Sequence, residues 1–223
     1  MNKEYLLPHF KNLSAQLPIE TISRKIAQSH PEYESIDCVN WPAFPYKPTV
    51  EFTMAMLGNG IFIHFKVNES HCLGRFTNDK EPVYKDSCVE LFIDPANDGT
   101  YYNFEFNCIG TMLLGYGASR HNREQAPDNV FKEVKRCPSL GHKPLDAAQD
   151  TNWSLEVIIP FSAFFKHQTG LFTDHSFKCN LYKCGDETNT PHYVTWNPIK
   201  TERPDFHRPE YFGNAVIKHS NLL

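Results

Sequence analysis

From Tyr33 onward, apolar and polar residues alternate with a period of two, in short runs broken by Gly, Pro and Asn. That period is the mark of strands with two distinct faces. It predicts strands over 35–39, 49–57, 60–67, 88–94, 101–108, 111–116, 130–136, 152–159, 176–183, 192–196 and 213–218. Gly58-Asn59 joins the second and third as a hairpin turn. Only two segments break the pattern. Ile19, Ile22 and Ile26 form a helical stripe over 19–29, after Pro18. A single helical turn is expected over 161–165, after Pro160. Residues 118–129 and 137–150 read as loops, the former polar and exposed. The Pro-rich stretch 197–212 is long enough to suggest function. About ten strands without βα alternation predict an all-β fold: a β-sandwich of jelly-roll type with antiparallel sheets. Residues 1–32 read as a lead-in with a short helix, and 33–223 as one domain.

The segment 86–107, DSCVELFIDPANDGTYYNFEFN, makes the sharpest prediction. If Asp94 and Tyr101 close its turn, Glu90 lies directly opposite Glu105. Val89, Leu91 and Ile93 then share the core face with Tyr102, Phe104, Phe106 and Cys108. The other face carries Cys88, Glu90 and Phe92 with Tyr101, Asn103, Glu105 and Asn107. Like charges opposed across a ladder are destabilising, so the pair demands a reason. A catalytic dyad, a metal site, a ligand-binding face and a solvated face are all open readings.

Composition narrows these. Hydrophobic residues make up 40% and charged residues 22% of the 223, which is ordinary for a globular chain. The net charge of −4 argues against a general nucleic-acid surface. No stretch approaches membrane-spanning length, and the N-terminus has no apolar leader, which favours the cytoplasm. Seven cysteines without a C-x-x-C spacing argue for reduced core thiols, and against a full disulfide framework or a zinc knuckle. Eleven histidines are scattered, with no H-x-H or H-x-x-x-H. Met54, Met56 and Met112 lie in strands, and a haem reading built on them ranks below core filler.

Taken together, DSCVELFIDP, the strand ending FEFN, WSLEVIIPFSAF and the ending W-N-P…P-E-Y-F-G resemble carbohydrate-binding module family 9 over roughly residues 35–218. The resemblance implies a β-sandwich that binds sugar without cleaving it, like modules attached to xylanases and free-standing bacterial proteins. It implies an oligosaccharide or polysaccharide ligand such as a xylan or glucan. It also implies two aromatic rings that grip a terminal sugar. Counting from Glu90 and Phe212, these positions fall on Tyr84 and Phe206. Rings suit the task because pyranose C–H faces stack on π surfaces. The strand glutamate, Glu90, is implied as a hydroxyl acceptor; Asn107, on the same face by alternation, and His207, next to Phe206, are further candidate polar contacts. Where the family has an arginine on the next strand, this chain has Glu105, so Arg203 is the candidate replacement cation. Trp196 is either a platform at the mouth of the last loop or a plug in the core. The family also carries calcium. Asp94 and Asp98 are the candidate oxygens here, at a spacing unlike a dedicated calcium loop. Family relatives often work outside the cell. A monomer is expected.

Two rivals stand beside sugar binding. One is a glycoside hydrolase using Glu90 and Glu105, since cross-strand Cβ atoms lie ~5 Å apart, roughly the separation of the two carboxyls in retaining enzymes. The other is an interaction module whose sugar site has decayed, with Tyr and Phe in place of Trp.

Overall fold

The period-two runs form strands that bury both faces: every residue of Cys88–Asp94 and of Tyr101–Asn107 is buried. A computed structural model describes residues 2–167, 172 and 176–218. In chain order its elements are β1 (Glu4–Phe10), α1 (Ile19–Gln28), β2 (Glu34–Ser35), β3 (Cys38–Val39), β4 (Thr49–Leu57), β5 (Gly60–Glu69) and β6 (Cys72–Gly74). Then come β7 (Cys88–Asp94), β8 (Tyr101–Asn107), β9 (Met112–Gly117), β10 (Glu124–Gln125), α2 (Asp128–Glu133), β11 (Lys135–Pro138) and β12 (Leu145–Ala147). The chain finishes with β13 (Thr151–Pro160), β14 (Ser176–Cys184), β15 (Tyr193–Thr195) and β16 (Gly213–Lys218). No helix among them is long and apolar enough to cross a membrane.

The strands stack as a sandwich. One layer runs β10-β9-β8-β7-β14-β16-β1, the other β4-β5-β13-β11. Between them lies the main core, which takes Val89, Leu91 and Ile93 from β7 and Tyr102, Phe104 and Phe106 from β8. Met54, Met56 and Met112 sit in this core as filler. All seven cysteines are free thiols, five of them buried.

Several elements differ from the sequence expectation. Residues 4–10 are a strand, and it joins the layers: Glu4 to Pro8 pair parallel with β16, while His9 and Phe10 pair parallel with β4. The sheets are therefore mixed rather than antiparallel throughout. The predicted strand over 35–39 splits between layers, β2 pairing β4 and β3 pairing β15. The predicted strand over 130–136 is instead the helix α2 followed by β11. Its Val130, Phe131 and Val134 are buried at a helical spacing, and Pro127-Asp128 is a helix start. The 137–150 loop contributes the end of β11 and the short β12, which pairs β6.

Helix α1 lies where the stripe predicts. Ile19, Ile22 and Ile26 cover Ala55, Leu57, Phe62 and Ile158 on the outer face of the second layer. Each such side chain contributes ~1.5–3 kcal/mol on burial. The outer face of the first layer is roofed by loops rather than a helix. Trp41, Val83, Ile199, Phe206 and Phe212 pack over Cys88, Phe92, Tyr101, Tyr182 and Cys184. This roof is why the polar face of β7 and β8 is enclosed rather than solvated.

Close to that face lies a buried charge pair. Lys183 Nζ lies 2.8 Å from Glu69 Oε2 in an ion pair whose two side chains are fully buried. The Lys183 ammonium donates to Nε2 of His192 at 2.8 Å, while Trp153 donates to the other Glu69 oxygen at 2.6 Å. Burial and the Lys183 charge hold His192 down at about 2, so it is neutral and accepts.

Candidate functional site

The loop roof leaves a cavity of about 270 Å³ over β7, β8 and β14. Glu90 and Phe92 of β7, Asn103 and Glu105 of β8, and Cys184 of β14 form its floor. Tyr84 and Tyr193 stand in its walls, with Pro204 to His207 of the long final loop. Leu113, Arg120, Arg123 and Asp186 complete it.

Glu90 and Glu105 are directly opposed across the ladder, in the register expected from the hairpin. Both are almost completely buried. Burial, then the Glu105 charge, holds the Glu90 carboxyl well above its ordinary range. Glu90 Oε1 accepts from Cys184 Sγ at 3.1 Å. Glu105 is pushed up to about 7, chiefly by burial, although its hydrogen bond from Asn103 and the nearby Arg123 pull the other way. Asn103 donates to Glu105 Oε1 at 2.7 Å. Glu105 Oε2 is buried and has no hydrogen-bond partner. A proton on the pair removes most of the like-charge repulsion.

Arg123 is the cation beside this pair. Its Nε donates to Asn103 Oδ1 at 2.8 Å. Its other nitrogens donate to the carbonyls of Ser119 and Tyr101, both at 2.9 Å, and its guanidinium lies 4.3 Å from the Tyr101 ring centroid. Arg123 thus orients Asn103, which orients Glu105. Tyr101 in turn bonds Nδ1 of His207 at 2.9 Å, and burial beside Arg123 and Arg120 holds His207 down at about 3.

Of the residues singled out from the sequence, Tyr84, Glu90, Glu105, Phe206 and His207 meet in this cavity. Phe206 is buried, with its ring stacked on Tyr182 at 4.2 Å. Tyr193, half-buried, is the ring that sequence reasoning missed. Asn107 is elsewhere: its amide donates to Phe76 O and Asp86 and accepts from the Thr111 N–H, so it ties loops together. Trp196 is a core plug, fully buried, its indole N–H donating to Glu34 at 2.7 Å. Arg203 is exposed and is not part of the cavity wall. Arg123 and Arg120, from the loop read as exposed, line the cavity instead. A signal existed in Gly115: a Cβ there would lie 2.9 Å from Asn103 Oδ1 and 3.4 Å from Arg123 Nε. The strand omits a side chain where the arginine crosses.

The calcium candidates are satisfied internally. Asp94 accepts from the N–H groups of Asp98 and Gly99, and Asp98 accepts from the N–H and hydroxyl of Thr100. They are turn-forming carboxylates.

The profile of Carbohydrate-binding family 9 matches residues 20–217. The crystal structure of a proposed carbohydrate-binding protein from Bacteroides uniformis ATCC 8492 is 36% identical, with a TM-score of 0.92 over 98% of this chain and 100% of that one. A family 9 module from Caldicellulosiruptor kristjanssonii, solved with glucose, shares the fold at 12% identity and a TM-score of 0.54, over 99% of each chain. The same organism's module solved with cellotriose gives 11% and 0.55, over 98% of this chain and 96% of that one. No curated protein matches the chain. With the profile spanning nearly the whole sandwich, and a full-length relative at 36% identity, this chain belongs to Carbohydrate-binding family 9.

Proposed function

We propose that this protein binds carbohydrate without cleaving it, and that the ligand enters the cavity between β7, β8 and the final loop. Tyr84 and Tyr193 are the stacking surfaces, with Phe206 backing the site through its stack on Tyr182. Glu90, Asn103 and Glu105 orient the hydroxyls. One observation carries this reading: Glu105 Oε2 is a buried polar atom without a partner, in a cavity walled by aromatic rings. Such an atom costs ~1–3 kcal/mol, and a ligand hydroxyl offsets that. The volume of about 270 Å³ is small beside the roughly 300–1,000 Å³ of drug-sized sites, and suits one ring or a chain end. Glucose and cellotriose, the ligands of the two Caldicellulosiruptor structures, are the first probes.

Titration calorimetry of the full chain with glucose, cellotriose and xylan- or glucan-derived oligosaccharides tests the proposal. Saturable binding that weakens in Tyr84→Ala and Glu105→Gln supports it. No binding across that panel, by a folded protein, overturns it. Hydrolysis of chromogenic glycosides, lost in Glu90→Gln, favours the hydrolase reading instead.

A further inference from the structure

Cys88 and Cys184 are directly opposed on β7 and β14, and Glu90 follows Cys88 by two residues, on the same face. One ligand atom from each of the three lies within 4.8 Å of the others, and all three residues are buried. Glu90 Oε1 is 3.1 Å from Cys184 Sγ and 3.8 Å from Cys88 Sγ. Around a tetrahedral zinc with Zn–S of about 2.3 Å and Zn–O of about 2.0–2.2 Å, a thiolate and a carboxylate oxygen lie about 3.5 Å apart. The two observed edges bracket that value. The remaining direction faces the cavity, because Glu90 and Cys184 both line it. Across the ladder, Glu105 presents its unpartnered Oε2.

We propose that Cys88, Glu90 and Cys184 form a site for a thiophilic divalent cation such as Zn²⁺, with its fourth position open to the cavity. Two sulfurs and one oxygen are a donor set that favours Zn²⁺ over Ca²⁺ or Mg²⁺. Three protein ligands with one open position is the arrangement of zinc sites that take up an exogenous ligand. On binding, the thiol protons of Cys88 and Cys184 leave to solvent, together with the Glu90 proton where that carboxyl is protonated. Two thiolates and a carboxylate bring the occupied site to a net charge of −1. Glu105 Oε2 then accepts a hydrogen bond from a water in the open position. Only a sugar hydroxyl replacing that water rests on the sugar-binding reading; the cation site does not.

The test is Co²⁺ titration of the full chain, reduced and stripped with a chelator. The expected result is one equivalent bound, with sulfur-to-cobalt charge-transfer and tetrahedral ligand-field absorption, displaced by Zn²⁺. Both signals persist in a Cys38→Ser/Cys137→Ser variant, which removes the two thiols that are not buried. Cys184→Ser and Glu90→Gln each weaken binding by more than ~10-fold, with circular dichroism confirming the fold. Absence of the charge-transfer band in the wild type overturns the proposal, even if those variants fail to fold. So does a band that disappears in the Cys38/Cys137 variant. Glucose or cellotriose failing to bind a protein that takes up Co²⁺ in this way overturns the sugar reading and leaves the cation site standing.

Discussion

Glu90 and Glu105 face each other across β7 and β8, both almost fully buried, and burial raises both carboxyls above their ordinary range. Their opposition is tolerated because burial favours the neutral carboxyl and because Asn103 and Arg123 hold the charged one.

That pair makes stability depend on pH in an unusual direction for carboxylates. Glu105 is raised from 4.5 to about 7 in the folded chain. Between those values the native state keeps a proton that the unfolded chain has released, so its contribution is full below 4.5 and is lost as pH rises through about 7. Urea denaturation below and above this window is expected to show stability falling with rising pH. Glu105→Gln flattens that fall. An unchanged slope in the variant refutes the assignment.

Tyr84 and Tyr193 are half-buried rings in the cavity walls. Replacing either with Ala is expected to weaken sugar binding by about 1–2 kcal/mol, which is roughly 5- to 30-fold. The melting temperature changes little for Tyr84. Calorimetry and a thermal melt of each variant check this.

Arg123 is held by Asn103 and several backbone carbonyls, a geometry only a guanidinium fork satisfies. Arg123→Lys leaves acceptors unpaired and is expected to cost about 1–3 kcal/mol of stability. Gly115→Ala pushes a Cβ against Asn103 Oδ1. It should disturb the same network and weaken ligand binding, as measured by calorimetry alongside denaturant unfolding.

Lys183 and Glu69 are a fully buried pair. Removing one partner, as in Lys183→Met, strands the other charge in the interior and is expected to cost about 3–5 kcal/mol. Replacing both with apolar residues recovers much of that loss. A double-mutant cycle in urea measures both effects.

Local order in the sequence determined most of the strands, the α1 stripe and the hairpin register, because side-chain direction follows directly from a period of two or 3.6. The resemblance to family 9 marked Tyr84, Glu90 and Phe206, and the hairpin register set Glu105 opposite Glu90; these meet in the cavity with His207. The tertiary structure decided the rest. Residues 4–10 become a strand only because β16, more than two hundred residues away, and β4 offer free edges on either side. Asn107 and Trp196 had the right residue types, yet one ties loops together and the other fills the core. Arg123 sits in a polar loop with no periodicity, and its place over Asn103 depends on the gap left by Gly115 and on how that loop folds across the sheet. The meeting of Cys88 with Cys184 depends on the pairing of β7 with β14, nearly a hundred residues apart in sequence. Periodicity records which way a side chain points; which distant segment closes over it is set by packing across the whole chain.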